Sequence, residues 1–199
     1  DGAIASTIAA AGGYTQCLQM LLAAKADISA VDANGCTASI LAAFHGHPEC
    51  LRLLLNAKAD VNATDKHKQT ASIVAAGFGH AECPKLLLDG KADINVASSK
   101  GVTPLIAATG DDQTACLQLL LDAKANMDFM NNYGYSALIV AAENGYTASL
   151  QLLLDAKANI NVKRKDGSTA LTIAKSEGHA DIVNLLLKAK QDRTSTSAV

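Results

Sequence analysis

The sequence contains no tryptophan, and aromatic residues make up only 4% of its 199 positions. A chain so poor in rings offers no row of stacking platforms for single-stranded nucleic acid. Its core has to be built from aliphatic side chains. Positive charge is not in excess either: 17 Lys and Arg stand against 19 Asp and Glu, a formal net charge of −2. That argues against nucleic-acid binding through summed basic charge. No apolar run is long enough for a spanning helix, so membrane insertion is not expected. The start, Asp1-Gly2-Ala3, lacks the basic-then-apolar pattern of a signal peptide. The glycine-rich patterns that cradle phosphates are also absent, so no nucleotide cofactor is expected. What the chain does have is apolar content, 49% hydrophobic at a mean hydropathy of +0.15, which is enough to fold around a substantial core.

That content is periodic. Cys17, Cys50, Cys83 and Cys116 follow one another at intervals of 33 residues, and only Cys36 lies outside the series. The same interval runs through Lys25, Lys58, Lys91, Lys124, Lys157 and Lys190, and through Leu21, Leu54, Leu87, Leu120, Leu153 and Leu186. It divides the chain into units 1–31, 32–64, 65–97, 98–130, 131–163 and 164–190, an array over 1–190. The tail 191–199 has no periodicity and is expected to be disordered. The repeated cysteine is one structural position used again and again. Stacked neighbours about 10 Å apart are too far for a disulfide. Reduced thiols and an intracellular, cytoplasmic setting are therefore expected. Cys36, at a hairpin position, is expected to be the most reactive of the five.

Each unit reads as a helix pair. Thr37, Thr70, Thr103, Ser136 and Thr169 precede short apolar segments and can cap them. Gly46, Gly79, Gly145 and Gly178 fall where the first helix must reverse, a place for a left-handed residue. Pro48 suits the first turn of the second helix, and Leu51, Leu54 and Leu55 share one of its faces. Pro84 is expected to loosen the corresponding turn of the third unit. A single pair cannot bury its apolar faces, whereas six stacked copies can.

The pattern Asp32-x-x-Gly35-x-Thr37-Ala38, then Ala42-Ala43-x-x-Gly46-His47, Leu53-Leu54-Leu55 and Ala59-Asp60-Val61-Asn62 resembles the ankyrin repeat, 33 residues with a T-P-L-H-x-A signature. Val102-Thr103-Pro104-Leu105 is its nearest local match. The resemblance covers almost the whole chain. It implies an all-α solenoid of stacked antiparallel helix pairs with projecting β-hairpin loops. The sequence departs from the family at two columns. Ile40, Ile73, Ile106 and Ile139 replace the signature histidine, and Lys takes the place of glycine before the Ala-Asp step in five units. Ends should differ from the middle. Thr7 and Thr172 replace the internal isoleucines, and Lys175 replaces an alanine, which marks 164–190 as a C-terminal cap. Ile4 in the capping-threonine column leads to the expectation that further residues or repeats precede Asp1.

Candidate chemistry is sparse. His47, His80 and His179 match a structural position of the repeat. His45, His47 and Cys50 form an incomplete metal set, since zinc takes four ligands. A thiol nucleophile needs a base and an orienting group, which a duplicated cysteine column does not supply. No catalysis, metal or cofactor is expected. Asn62, Asn95 and Asn161 are expected to hydrogen-bond the hairpin backbone. The resemblance also marks them as candidate sites of hydroxylation by an oxygenase.

The function expected is non-catalytic protein recognition by a single-copy, monomeric array. The alternatives are a regulatory or targeting segment of a larger protein and an elastic structural spacer. The resemblance places partner-facing positions on the hairpins and at the ends of the first helices. Here these include Phe44, His45, Lys66, His67, Gly77, Phe78, Lys100, Gly110, Met130, Tyr133 and Tyr135. Tyr133 and Tyr135 are expected to be exposed anchors, because large amphipathic rings dominate interface energies.

Overall fold

The computed structural model describes residues 2–196, and side chains from residue 4 to residue 193. Among these residues there are twelve helices and no strand. They form six successive pairs: α1 (Gly2–Ala11) and α2 (Thr15–Ala23), α3 (Ala38–Phe44) and α4 (Pro48–Asn56), α5 (Ala71–Gly77) and α6 (Glu82–Asp89). These are followed by α7 (Pro104–Gly110) and α8 (Thr114–Asp122), α9 (Ala137–Asn144) and α10 (Thr147–Asp155), α11 (Ala170–Ser176) and α12 (Ala180–Thr196). First helices pack on first helices and second helices on second helices, giving an all-α solenoid of two layers.

Local chemistry sets each pair. The side chains of Thr37, Thr70, Thr103, Ser136 and Thr169 accept hydrogen bonds from the backbone amides three residues on, at 3.3–3.4 Å. Each satisfies one of the amides a helix start leaves unpaired. The first helices end at left-handed Gly46, Gly79, Gly145 and Gly178. At Gly46 the backbone also comes close to its neighbour, since a Cβ there would lie 2.5 Å from the His80 ring. In the fourth unit Asp112 takes the left-handed role, at φ 52°.

The histidines join successive repeats. Nε2–H of His47, His80 and His179 donates to the carbonyls of Ala11, Phe44 and Glu143, at 3.1, 3.1 and 2.9 Å. After each of the first five second helices the chain turns through a left-handed lysine: Lys25, Lys58, Lys91, Lys124 and Lys157 have φ between 58° and 68°. A side chain in that region costs up to about 1 kcal/mol relative to glycine.

The projecting loops are hairpin-shaped but scarcely paired. Isolated antiparallel bridges, Val31 with Thr37, Thr64 with Thr70 and Lys163 with Thr169, close three of them. Their tips are held by side-chain acceptors. Asp65 Oδ1 accepts from the amides of His67 and Gln69 at 2.7 and 2.8 Å. Tips are also linked to one another, with Lys66 N–H donating to Asn34 O, Ser99 N–H to His67 O and Asn132 N–H to Lys100 O, at 2.8–3.1 Å.

Four expectations meet the structure here, three of them to be corrected. First, α12 runs through 191–196 where disorder was expected. The segment holds no Gly or Pro to stop it, and the Arg193 guanidinium donates to Ala158 O at 2.9 Å. Residues 197–199 lie outside the described residues. Second, Thr7 is 3% exposed and does not face water. At that end the exposed large apolar residues are Ile4, Ile8, Tyr14 and Met20. Third, Pro84 loosens the first turn of α6 as expected: the other units make an N–H bond at this position, such as Leu51 N–H to His47 O at 3.1 Å and Leu117 N–H to Gln113 O at 2.9 Å, and proline has no N–H to give. The helix also begins one residue later than its counterparts, with a long Lys85 N–H to Ala81 O bond of 3.4 Å. Fourth, Cys36 is half-buried while Cys17 is exposed. Burial, then the charges of Asp32 and Asp65, push the Cys36 thiol up to about 11, away from reactivity.

Buried side chains form two clusters. One runs from Ala9 to Leu87 and the other from Ala76 to Leu186, so the core divides within the third unit.

Candidate functional site

The surface formed by the hairpin tips and the C-terminal ends of the first helices carries the expected recognition positions. Phe44 and His45 end α3, and Phe78 stands at the equivalent place after Gly77. Both phenylalanines are exposed, and their ring centroids lie 4.4 Å apart in a tilted pair. His45 meets Phe44 edge-on at 4.9 Å. Folding does not require large apolar rings at exposed positions, yet two repeats align theirs into one patch.

The hairpin residues follow in a row. Lys66, His67 and Lys100 are exposed at the tips. The Lys66 ammonium donates to Ala33 O at 2.7 Å, tying its tip to the preceding one. Tyr133 is 62% exposed, and its amide is held by Asn131 Oδ1 at 3.0 Å, so a fixed turn presents the ring. Met130 is exposed just before it.

Tyr135 does not stand with Tyr133. It is half-buried against the larger cluster, its hydroxyl donates to Glu143 Oε1 at 3.0 Å, and the Arg164 guanidinium lies 4.4 Å from its ring centroid. Burial, reinforced by Glu143, raises its phenol pKa. The ring therefore braces the fifth unit against the sixth. Sequence spacing puts Tyr135 on the same turn as Tyr133, but only the positions of Glu143 and Arg164 show which way it packs.

Asn62 and Asn95 join repeats. Their Oδ1 atoms accept from the amides of Asp93 and Asn126, each at 2.8 Å. Asn161 is exposed, and its amide donates to Asn159 Oδ1 at 3.0 Å. The His45 and His47 rings stack 6.3 Å apart, and Cys50 is fully buried. Among the described residues no group of three or more His, Cys, Asp or Glu is placed to hold a metal ion. Nor is any helix there long and apolar enough to cross a membrane.

The geometry and the sequence define one class. The profile for ankyrin repeats in three copies matches residues 6–98 and 75–164, and the single ankyrin-repeat profile matches 166–196. The chain belongs to the ankyrin repeat family, whose members are typically non-catalytic and generally serve as protein–protein interaction modules. Among solved structures it resembles an ankyrin repeat domain from Acinetobacter baumannii AYE, with 33% identity, 93% of this chain and 97% of that one covered, and a TM-score of 0.86. It also resembles the ankyrin repeat domain of Bcl-3, a member of the IkappaB protein family. There the identity is 30%, coverage is 92% of this chain and 85% of that one, and the TM-score is 0.84. Comparison with curated proteins gives no match.

Proposed function

We propose that the array binds a protein partner on the surface made by its hairpin tips and first-helix ends, as a single copy and without catalysis, inside the cell. The observation that carries this reading is the row of exposed rings Phe44, Phe78 and Tyr133, which the fold leaves unused in a chain with very few aromatics. Lys66, His67, Lys100 and Met130 border the row, giving an apolar centre with a polar rim. Tyr135 supports the surface from beneath.

The test is affinity capture from the native cell with the full chain as bait, followed by titration of the captured partner. Phe78→Ala with Tyr133→Ala should weaken that binding by about 2 kcal/mol or more, with little change in thermal stability. Equal binding by the double variant removes this surface from the account. Failure to capture any partner favours the spacer.

A further inference from the structure

The two glycines that end α5 and α7, Gly77 and Gly110, are not demanded by the fold. Neither has a left-handed backbone. A Cβ at Gly77 would meet nothing closer than 3.6 Å, and one at Gly110 would find open space. Glycine is among the poorer helix formers, so these positions give up helix stability with no steric return. Their counterparts in the neighbouring units are the large side chains Phe44 and Glu143. The result is a cleft of about 490 Å³ across the third and fourth units, flanked by bulkier residues. Val74, Ile106, Ala107 and Val140 contribute apolar lining, and Phe78 stands exposed beside it.

The two ends of the cleft differ in charge. His67 and Lys100 line the hairpin end and Asp111 the helix end. The charge at the hairpin end is not a by-product of turn chemistry. Asp65 caps the third hairpin, but Ser98 Oγ does the same for Val102 N–H at 3.1 Å and Asn131 Oδ1 for Tyr133 and Tyr135. The turn needs only an acceptor, and in the fourth and fifth units that acceptor is neutral. Beside Lys100 the fold thus dispenses with a negative charge it uses elsewhere. From the third unit to the sixth the tips carry Lys66, Lys68, Lys100, Lys163, Arg164 and Lys165 against Asp65 and Asp166, in a chain whose net charge is −2.

We infer that this cleft receives an extended acidic peptide segment of the partner, with one bulky aliphatic or aromatic side chain filling the space over Gly77 and Gly110 and its carboxylates directed to Lys100 and the Lys66–Lys68 tip. Asp111 repels carboxylates from the opposite end, which fixes the direction in which the segment lies. The inference rests on the proposed recognition surface and adds the chemistry of what it recognises.

The experiment is a display selection of random twelve-residue peptides on the full chain, with titration of the enriched peptides. Enrichment of Asp and Glu around one bulky apolar residue is expected, with binding that weakens as salt rises. Gly110→Leu, whose Cβ would meet nothing within 4 Å and whose side chain would occupy the cleft, should weaken binding at least tenfold while the array stays folded, and Lys100→Glu should do so by a comparable factor. Peptides without acid enrichment, binding unchanged by Gly110→Leu, or no enriched peptide at all would each overturn the inference. Peptides indifferent to Gly110→Leu and Lys100→Glu but lost with Tyr133→Ala would overturn it while leaving the recognition surface standing.

Discussion

The hydroxyl of Ser149 donates to Asp112 Oδ1 at 2.6 Å, across 37 residues. Ser149 occupies the column of Cys50, Cys83 and Cys116, and Asp112 the column of the left-handed glycines. Two departures from the repeat thus meet at one interface. Ser149 is fully buried, so its bond to a carboxylate contributes about 2 kcal/mol. That bond offsets the left-handed cost at Asp112, about 1 kcal/mol.

Asp112→Gly and Ser149→Cys should therefore be strongly coupled. Alone, Asp112→Gly relieves strain but leaves a buried hydroxyl without its acceptor, and Ser149→Cys loses the bond. Together they restore the residues of the other units and should return close to native stability. Guanidinium unfolding of the cycle should give a coupling of about 1–2 kcal/mol. Additive effects would remove the pairing from the account.

The left-handed lysines should respond to glycine. Lys58→Gly and Lys124→Gly each relieve up to about 1 kcal/mol of backbone strain and forgo a cation worth about 0.3–1 kcal/mol at a helix C-terminus. Both sites are exposed, so the dipole contribution is screened and the expected net gain is about 0.5 kcal/mol each. The sites are far apart, so the gains should add. A loss of stability on either substitution would contradict this.

Thiol reactivity should follow exposure and pKa. Cys17 is exposed, Cys36 is half-buried with its thiol pushed up to about 11, and burial pushes Cys83 and Cys116 to about 11 as well. Iodoacetamide at pH 7.5, read by peptide mass spectrometry, should modify Cys17 first and Cys36 much more slowly. Earlier labelling of Cys36 would reverse the assignment.

Acid should weaken the last hairpin. The Ser168 hydroxyl and amide donate to Asp166 and lower its pKa. A carboxylate whose folded pKa is depressed stabilises the protein above the unfolded value of 3.8 and loses that contribution as pH falls through the folded one. Asp166→Asn keeps a side-chain oxygen that can accept from the Ser168 amide two residues on, as Asn131 Oδ1 accepts from Tyr133 at a different position of its hairpin, and should flatten the acid limb of stability for residues 163–169. An unchanged acid limb would show that the bond carries no linkage.

Local opening should centre on the third unit. The buried core divides there, α6 starts late at Pro84, and Gly90 replaces the alanine of the second unit. A Cβ at Gly90 would meet its nearest neighbours at 3.4 Å, so Gly90→Ala should stabilise by about 0.5 kcal/mol. Because repeat stability is roughly a sum of unit and interface terms, native-state hydrogen exchange should find 65–97 the least protected internal unit. The best protection there would contradict this reading.

The period, the caps and the reversing glycines were legible in the sequence, because each is fixed by its own unit and repeats. The histidines were legible only as a structural column, since their bonds reach carbonyls of the preceding repeat. What was not legible depends on which neighbour a side chain meets. Tyr133 and Tyr135 share a turn, yet Glu143 and Arg164 draw only Tyr135 inward. Cys17 and Cys50 occupy one column, yet Cys17 is exposed and Cys50 is buried. Gly77 and Gly110 stand among the expected recognition positions, but that they open one cleft follows only from the stacking. The extension of α12 depends on Arg193 reaching Ala158, a contact that no periodicity announces.

Recognition on the hairpin and first-helix surface can be read from hydrogen exchange of the full chain with and without its captured partner. Added protection is expected in the tips 65–69, 98–102 and 131–135 and in α5 and α7, with α6 and α8 unchanged. Protection confined to the second helices, with the tips exchanging as in the free chain, would contradict it.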